Sequence, residues 1–447
     1  MKVAYFSPLS PQKSGISDYS EELLPKLSDK MDLDLYVDDF KPNNEFIKNN
    51  FNIYKINDFV SENKYEDYDH VIYNIGNNAK FHEKIYKIAL EHPGIVILHD
   101  YAIHHLIVEM TAAKNKNEEY IEEMRYNYGE KGKKLVDDMF QGKIRPIWET
   151  GNTFEYPLNK RLMDNAKAII VHSKYIRDLV KQTNSKVPIK YIPMPTPDVE
   201  FIPKAEKDKL RNKYKLSKDK MIFSSFGFIS KEKRIDKVIS VVKNLKKEFN
   251  DFLYLLVGRE AEGYNISKYI KENNIERYVK IIGFVELDEF KDYIKLSDFC
   301  INLRYPTQGE TSASLVRILG MGKPAIVTDI GTFSEYPDNC TLKVSYGANE
   351  EEDIYNAIKE MINDKNKLKK MSNNAYEYVK ENHRIESSAQ LYVDLLKDIE
   401  LGKVYKGNVD AYVDIYQSVG NKLYEIGIDE KNEETLLSIA EVISGLV

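Results

Sequence analysis

The densest set of residues able to do chemistry in this 447-residue sequence is Asn302-Leu303-Arg304-Tyr305-Pro306-Thr307-Gln308-Gly309-Glu310-Thr311-Ser312-Ala313-Ser314-Leu315. An apolar run ends, a loop with Pro306 and Gly309 follows, and a helix opens on small hydroxyl residues. The free backbone N–H groups over Thr311, Ser312, Ala313, Ser314 and Leu315, joined by the hydroxyls, suit a phosphate. Glu310 stands at the junction, where a carboxylate can accept hydrogen bonds from sugar hydroxyls. Taken alone, the same residues need be no more than a capped helix. Glu310 would then complement the helix dipole and Ser312 cap the first turn, together worth about 0.5–2 kcal/mol.

Three further segments have the same shape, an apolar run feeding a polar loop. Phe226-Gly227-Phe228-Ile229-Ser230-Lys231-Glu232-Lys233-Arg234 puts a glycine and three cations before a helix. Cations there are placed to neutralise a diphosphate leaving group, an effect of about 3–4 kcal/mol per well-aimed donor; Lys231 reads better as a solvated turn. In Ile95-Val96-Ile97-Leu98-His99-Asp100 a polar pair closes a buried strand, so His99 can hydrogen-bond a substrate. His104 and His105 follow one turn later, without the partners a metal site needs. Ser10–Tyr19 is a loop in which Gly15 either admits a ligand to the backbone or merely turns the chain before a helix. It is not a GxGxxG fingerprint, so no dinucleotide cofactor is indicated. Asp32-Leu33-Asp34 leads straight into a predicted strand and carries no metal argument.

These loops need a frame. Short apolar runs recur at Val3–Phe6, Leu35–Val37, Val71–Ile75, Ile95–Leu98 and Ala168–Val171, with amphipathic stretches such as Ser17–Leu24 and Phe81–Glu91 between them. The pattern restarts after the proline-rich segment Tyr191–Pro197, with Ile222–Phe226, Phe252–Val257, Val279–Ile282, Phe299–Leu303 and Ala325–Thr328. Uncharged runs alternating with helices indicate parallel strands covered on both faces. The chain therefore reads as α/β, two doubly wound Rossmann-like domains (1–195 and 196–384) facing across a cleft, where ligands bind beyond the carboxyl ends of the strands. Ile385–Ile399 continues as a helix, and 401–447 as a helical extension of unknown role. Lys plus Arg total 65 against 71 Asp plus Glu, a net charge of −6, which argues against a nucleic-acid binder. Cys300 and Cys340 are the only cysteines, so a disulfide scaffold is excluded and a reducing cytoplasm fits. No leader and no 18-residue apolar run is visible. Lys and Arg over Ala113–Arg145 interleave with acids, as on a solvated helix face.

Taken together, the pieces resemble a family 4 glycosyltransferase of the GT-B fold over about residues 1–400. The nearest likeness is a bacterial branch marked by Gly76-Asn77-Asn78, Phe81-His82, His99-Asp100, Arg304-Tyr305-Pro306-Thr307 and Gly309-Glu310-Thr311-Ser312. The resemblance implies a retaining transfer of sugar from a nucleotide-diphosphate donor, without metal or cofactor. By motif position Lys233 corresponds to the diphosphate-binding lysine, and Glu310 to the first Glu of Glu-X7-Glu, which holds donor-sugar hydroxyls. His99 corresponds to the histidine near the donor sugar, and Gly15 to the loop beside the phosphates. Gly227 lies in the cationic loop, and Phe284, in Gly283-Phe284-Val285, corresponds to the segment against the base. The second Glu of the motif is replaced by Ile318, and the usual arginine after the first C-domain glycine by Phe228. Arg304 is expected to restore the missing charge.

The expected acceptor is a glycan, a lipid-linked intermediate or a protein, with bacterial surface-glycan assembly preferred. The expected location is cytoplasmic, with room for peripheral contact at the inner membrane face and self-association through the C-terminal helices. Two rivals remain in view. A non-catalytic GT-B subunit is kept alive by Ile318 and Phe228; a nucleotide-sugar epimerase would need more carboxylates beside the sugar than Glu310.

Overall fold

The computed structural model describes residues 1–183 and 187–403. The expected helical extension over 401–447 lies, from residue 404 on, outside the described residues. The first half builds a seven-stranded parallel sheet from β1 (Lys2–Phe6), β2 (Asp32–Val37), β3 (Asn52–Lys55), β4 (His70–Ile75), β5 (Ile95–Leu98), β6 (Ala168–Val171) and β7 (Ile189–Tyr191), in the order β3-β2-β1-β4-β5-β6-β7. The second half builds six from β8 (Met221–Phe226), β9 (Phe252–Val257), β10 (Val279–Gly283), β11 (Phe299–Asn302), β12 (Ala325–Thr328) and β13 (Thr341–Val344), ordered β10-β9-β8-β11-β12-β13. This is the α/β architecture that the alternating pattern predicts.

The strands that the apolar runs did not announce, β3, β7 and β13, all lie at sheet edges. An edge strand has one neighbour and partial cover, so its sequence need not be a continuous apolar run. Asn52-Ile53-Tyr54-Lys55 is half exposed accordingly. Central strands are closed on both faces: every residue of β5, β6 and β12 is buried. Asp32 and Asp34 lie inside β2, and Asp34 accepts hydrogen bonds from Asn52 and Tyr68.

Both sheets reverse direction of growth at one point, between β1 and β4 in the first and between β8 and β11 in the second. At such a point the connections leave to opposite faces, opening a crevice at the carboxyl ends. The helix Ile385–Glu400 crosses back onto the first half. Its Tyr392 hydroxyl meets that of Tyr19, and Lys30 donates to Gln390 at 2.8 Å. One apolar cluster consequently runs from Val3 and Ile97 through Tyr392 and Leu396 to Leu255 and Val327, tying both halves into a shared core.

Candidate functional site

The loops leaving the four strands beside the two switch points carry most of the residues singled out above. In the first half the loop after β1 ends on Ser14, whose side chain accepts the Ile16 N–H and caps the helix Gly15–Ser28. A Cβ built on Gly15 would meet nothing within 4 Å, so its surroundings are open. The loop after β4 contains Asn77, whose N–H donates to Asp100 Oδ2 at 2.8 Å.

His99, just after β5, is buried and its Nε2 lies 2.9 Å from Asn74 Oδ1. Asn74 Nδ2 donates to the Phe6 carbonyl at 3.0 Å, which fixes the amide so that its oxygen faces the imidazole. His99 therefore carries its proton on Nε2 and presents Nδ1 as an acceptor. Burial, then the neighbouring His172 and His82, holds it well below the usual imidazole range, so the ring is neutral. His172, at the end of β6, has its ring centre 5.2 Å away and bonds the Ile192 carbonyl through Nδ1. Its Nε2 is buried without a partner, and burial brings its pKa down to about 4.

The second half presents charge. Of the three cations after β8, Lys231 is exposed and Arg234 is committed to Glu350, its Nε 2.8 Å from Oε1. Only Lys233 turns inward, its Nζ donating to the Phe226 carbonyl at 2.5 Å. Burial first and Arg304 second push its pKa down to about 7, while Glu310 pulls the other way. Gly227 has φ +81°, and a Cβ there would stand 2.5 Å from the Lys233 ammonium, so a side chain would evict it.

The loop after β11 closes on itself around Glu310. Arg304 Nε lies 2.7 Å from one carboxylate oxygen; the other accepts from Thr307 Oγ1 at 2.9 Å and Gln308 N at 2.7 Å. The carboxylate thus organises its own loop. Ser312 caps the helix Ala313–Gly320, accepting from Leu315 N at 3.2 Å, and Ser314 bonds the Ser312 hydroxyl. Thr311 and Ala313 lie in the same turn. Ile318, on that helix, is fully buried in the apolar cluster, so no carboxylate replaces the motif's second Glu at that position.

The two halves meet over this loop. Ala102 N donates to the Gln308 carbonyl at 2.9 Å, and the Gln308 side chain pairs with Thr153. Gly309 has φ +79°, and a Cβ there would lie 2.6 Å from that of Tyr101. Glu335 accepts the N–H groups of Lys174 and Tyr175, and Arg317 pairs with Glu22. Phe284 is exposed at the end of β10, with the Lys13 ammonium of the first half 4.0 Å over its ring.

Sequence reasoning passed over Asp100 as a site residue. Burial, and then Glu310, push its pKa up to about 7, while Arg304 lowers it, which puts both loops in one electrostatic cluster. Its signal was present in the His99-Asp100 pair. Nothing local marked Asn74 or His172, because their roles come from strands adjacent only in the fold. Phe228, in the arginine's expected place, is exposed. His104 bonds the Tyr156 carbonyl and the Tyr120 hydroxyl. Among the described residues no cluster of three or more His, Cys, Asp or Glu could hold a metal, and no helix is long and apolar enough to cross a membrane. A cavity of about 480 Å³ lined by Asp38, Lys80, Lys84 and Glu109 lies on the first half, away from the cationic loops.

Residues 206–378 match the family described as glycosyl transferases group 1. An uncharacterized glycosyltransferase of Methanocaldococcus jannaschii is 24% identical over 242 residues, covering 54% of this chain. The chain spans 60% of the length of that curated relative. Among solved structures, sucrose-phosphate synthase from Thermosynechococcus elongatus superposes with TM-score 0.67 at 14% identity, covering 90% of this chain and 100% of its own. HepE of Anabaena, in complex with UDP-glucose, superposes with TM-score 0.63 at 14% identity, covering 89% and 100%. These likenesses are of fold.

Proposed function

We infer that the chain is a GT-B glycosyltransferase of the family 4 type, as its motifs imply and as the group 1 match and the fold support. The observation that carries the reading is Lys233, turned inward onto the Phe226 carbonyl with Arg304 beside it. Burial and the neighbouring Arg304 disfavour the charge on Lys233 at the carboxyl edge of the second sheet, and an added anion there would favour it. A nucleotide diphosphate sugar supplies that anion, and the uridine-type donor seen with HepE is the first to test. The base would lie at Phe284, the diphosphate over Gly227, Lys233 and the turn Thr311–Leu315, and the donor sugar between Glu310 and His99.

The reaction we propose breaks the bond between the anomeric carbon and the diphosphate oxygen, which leaves with the electron pair. Lys233, Arg304 and the N–H groups after Ser312 neutralise the growing charge. The acceptor hydroxyl bonds the anomeric carbon from the face the diphosphate leaves, with retention, and its proton passes to the departing phosphate oxygen. No side chain need be a nucleophile, so the catalytic work is positioning and electrostatics. His99 Nδ1 receives a hydroxyl of the donor sugar. No metal enters this scheme. The acceptor, of glycan, lipid-linked or protein type, approaches from the first half, in cytoplasmic surface-glycan assembly.

The test is to incubate the protein with nucleotide sugars and oligosaccharide acceptors in EDTA and follow released nucleotide diphosphate. Release that Lys233→Ala abolishes supports the reading. An epimerised donor, or no consumption by folded protein, refutes it.

A further inference from the structure

Two large aromatic side chains beside the site are exposed without a packing reason. Tyr305, 36% exposed, and Tyr346, 45% exposed, stack with ring centres 4.6 Å apart and planes within 19°. Both are held firmly. Tyr305 N donates to the Glu232 carbonyl at 2.8 Å, and the Arg234 guanidinium, clamped by buried Glu350, lies 5.8 Å from its ring centre. Tyr346 follows Ser345, whose N–H donates to Asp353 at 3.0 Å. Tyr175 stands opposite on the first half: its phenol is raised by burial and then by Tyr346, and its ring parallels that of Phe154 at 6.3 Å.

We propose that the Tyr305–Tyr346 stack is a saccharide-binding platform that seats an acceptor sugar unit beyond the one that reacts, so that the acceptor is an oligosaccharide chain. This rests on the transferase reading and adds the acceptor's class. A pyranose turns a face of C–H bonds, polarised positive, to the negative face of an aromatic ring, while its hydroxyls point sideways to water and to phenols. One face of Tyr346 is taken by Tyr305, so the sugar lies on the other. Two rings edged by hydroxyls and a clamped guanidinium are too small and too polar for an acyl chain or an amphipathic helix, each of which needs a continuous apolar strip. The platform starts one residue from Arg304, the partner of Glu310. The Tyr305 N–H bond to the Glu232 carbonyl also ties it to the loop that carries Lys233.

Saturation-transfer NMR without nucleotide tests it, using hexasaccharides of β-1,4-glucose, α-1,4-glucose and β-1,4-N-acetylglucosamine as probes. The expected result is transfer to ring C–H protons of at least one hexasaccharide, with affinity at least tenfold weaker in Tyr346→Ala. Tyr346→Trp should retain it, as should Tyr269→Ala, an exposed tyrosine on the helix Ile266–Glu272. Thermal melts would check that each variant folds. Equal binding by Tyr346→Ala, or no binding of any probe to the wild-type protein, overturns the platform. Because no donor is present, the platform and the transferase reading fail separately: saccharide binding without nucleotide-sugar turnover sinks only the latter, and turnover without saccharide binding only the former.

Discussion

The two halves share one architecture and put opposite chemistry at the same place in it. At the carboxyl edge of the first sheet stand His99 and His172, buried and neutral, each with its proton committed to a carbonyl oxygen. At the carboxyl edge of the second stand Lys233 and Arg304, with Glu310 between loops of cations and N–H groups. Desolvation acts on both. It strips an imidazole of its charge near neutrality and leaves an acceptor, whereas it leaves an ammonium poised to titrate and eager for an anion. On the proposed reading, the first half receives uncharged hydroxyls and the second the diphosphate.

The sharpest way to break this contrast is Lys233→Ala. Loss of one well-aimed cation should cut turnover by about 10²–10³-fold, read as released nucleotide diphosphate in a single turnover. If His99→Leu weakened nucleotide diphosphate binding as much, the division between halves would be wrong. Glu310→Gln should cost about 10²-fold, since it unpairs sugar hydroxyls and loosens Arg304, Thr307 and Gln308 together. A donor KM and kcat within twofold of the wild type would remove Glu310 from the site.

His99→Leu itself should lower kcat/KM by roughly tenfold, the worth of about one neutral hydrogen bond to a buried acceptor, and equally at low and high salt. A strong salt dependence would mean the ring is charged. The pH dependence of nucleotide diphosphate affinity sharpens the other half. Lys233 titrates near 7 when the site is empty, and a bound anion favours its protonated form. Affinity should therefore be level below pH 7 and fall above it by up to about tenfold per pH unit, because each binding event must then take up a proton. Lys233→Arg should flatten that slope in isothermal titration, since guanidinium stays charged throughout. The smallest effect is expected at the seam. Glu335→Gln should cost about 1 kcal/mol by weakening two N–H contacts, visible as a drop of about 1 °C in Tm.

Much of the fold was legible because central strands announce themselves. Ile95–Leu98, Ala168–Val171, Phe252–Val257 and Ala325–Thr328 match their strands residue for residue, since closure on both faces leaves only apolar side chains acceptable. Edge strands such as Asn52–Lys55 escape the same logic. That Lys233, Ser312 and His99 lie in loops at the carboxyl ends of strands was legible from their place after an apolar run. The ion pair of Glu310 with Arg304 and its hydrogen bonds from Thr307 and Gln308 depend on how the loop after β11 folds back, which no local pattern announces.

The sequence by itself determined the two α/β halves and the loops that carry the polar residues, because each follows from local periodicity and chain stiffness. Only the tertiary structure decided which nitrogen of His99 is bare, which of three cations turns inward, and that Asp100 shares a field with Glu310. Proton position and pKa depend on neighbours from strands far apart in the chain, Asn74 for His99 and Arg304 for Lys233, and on how completely water is excluded around them.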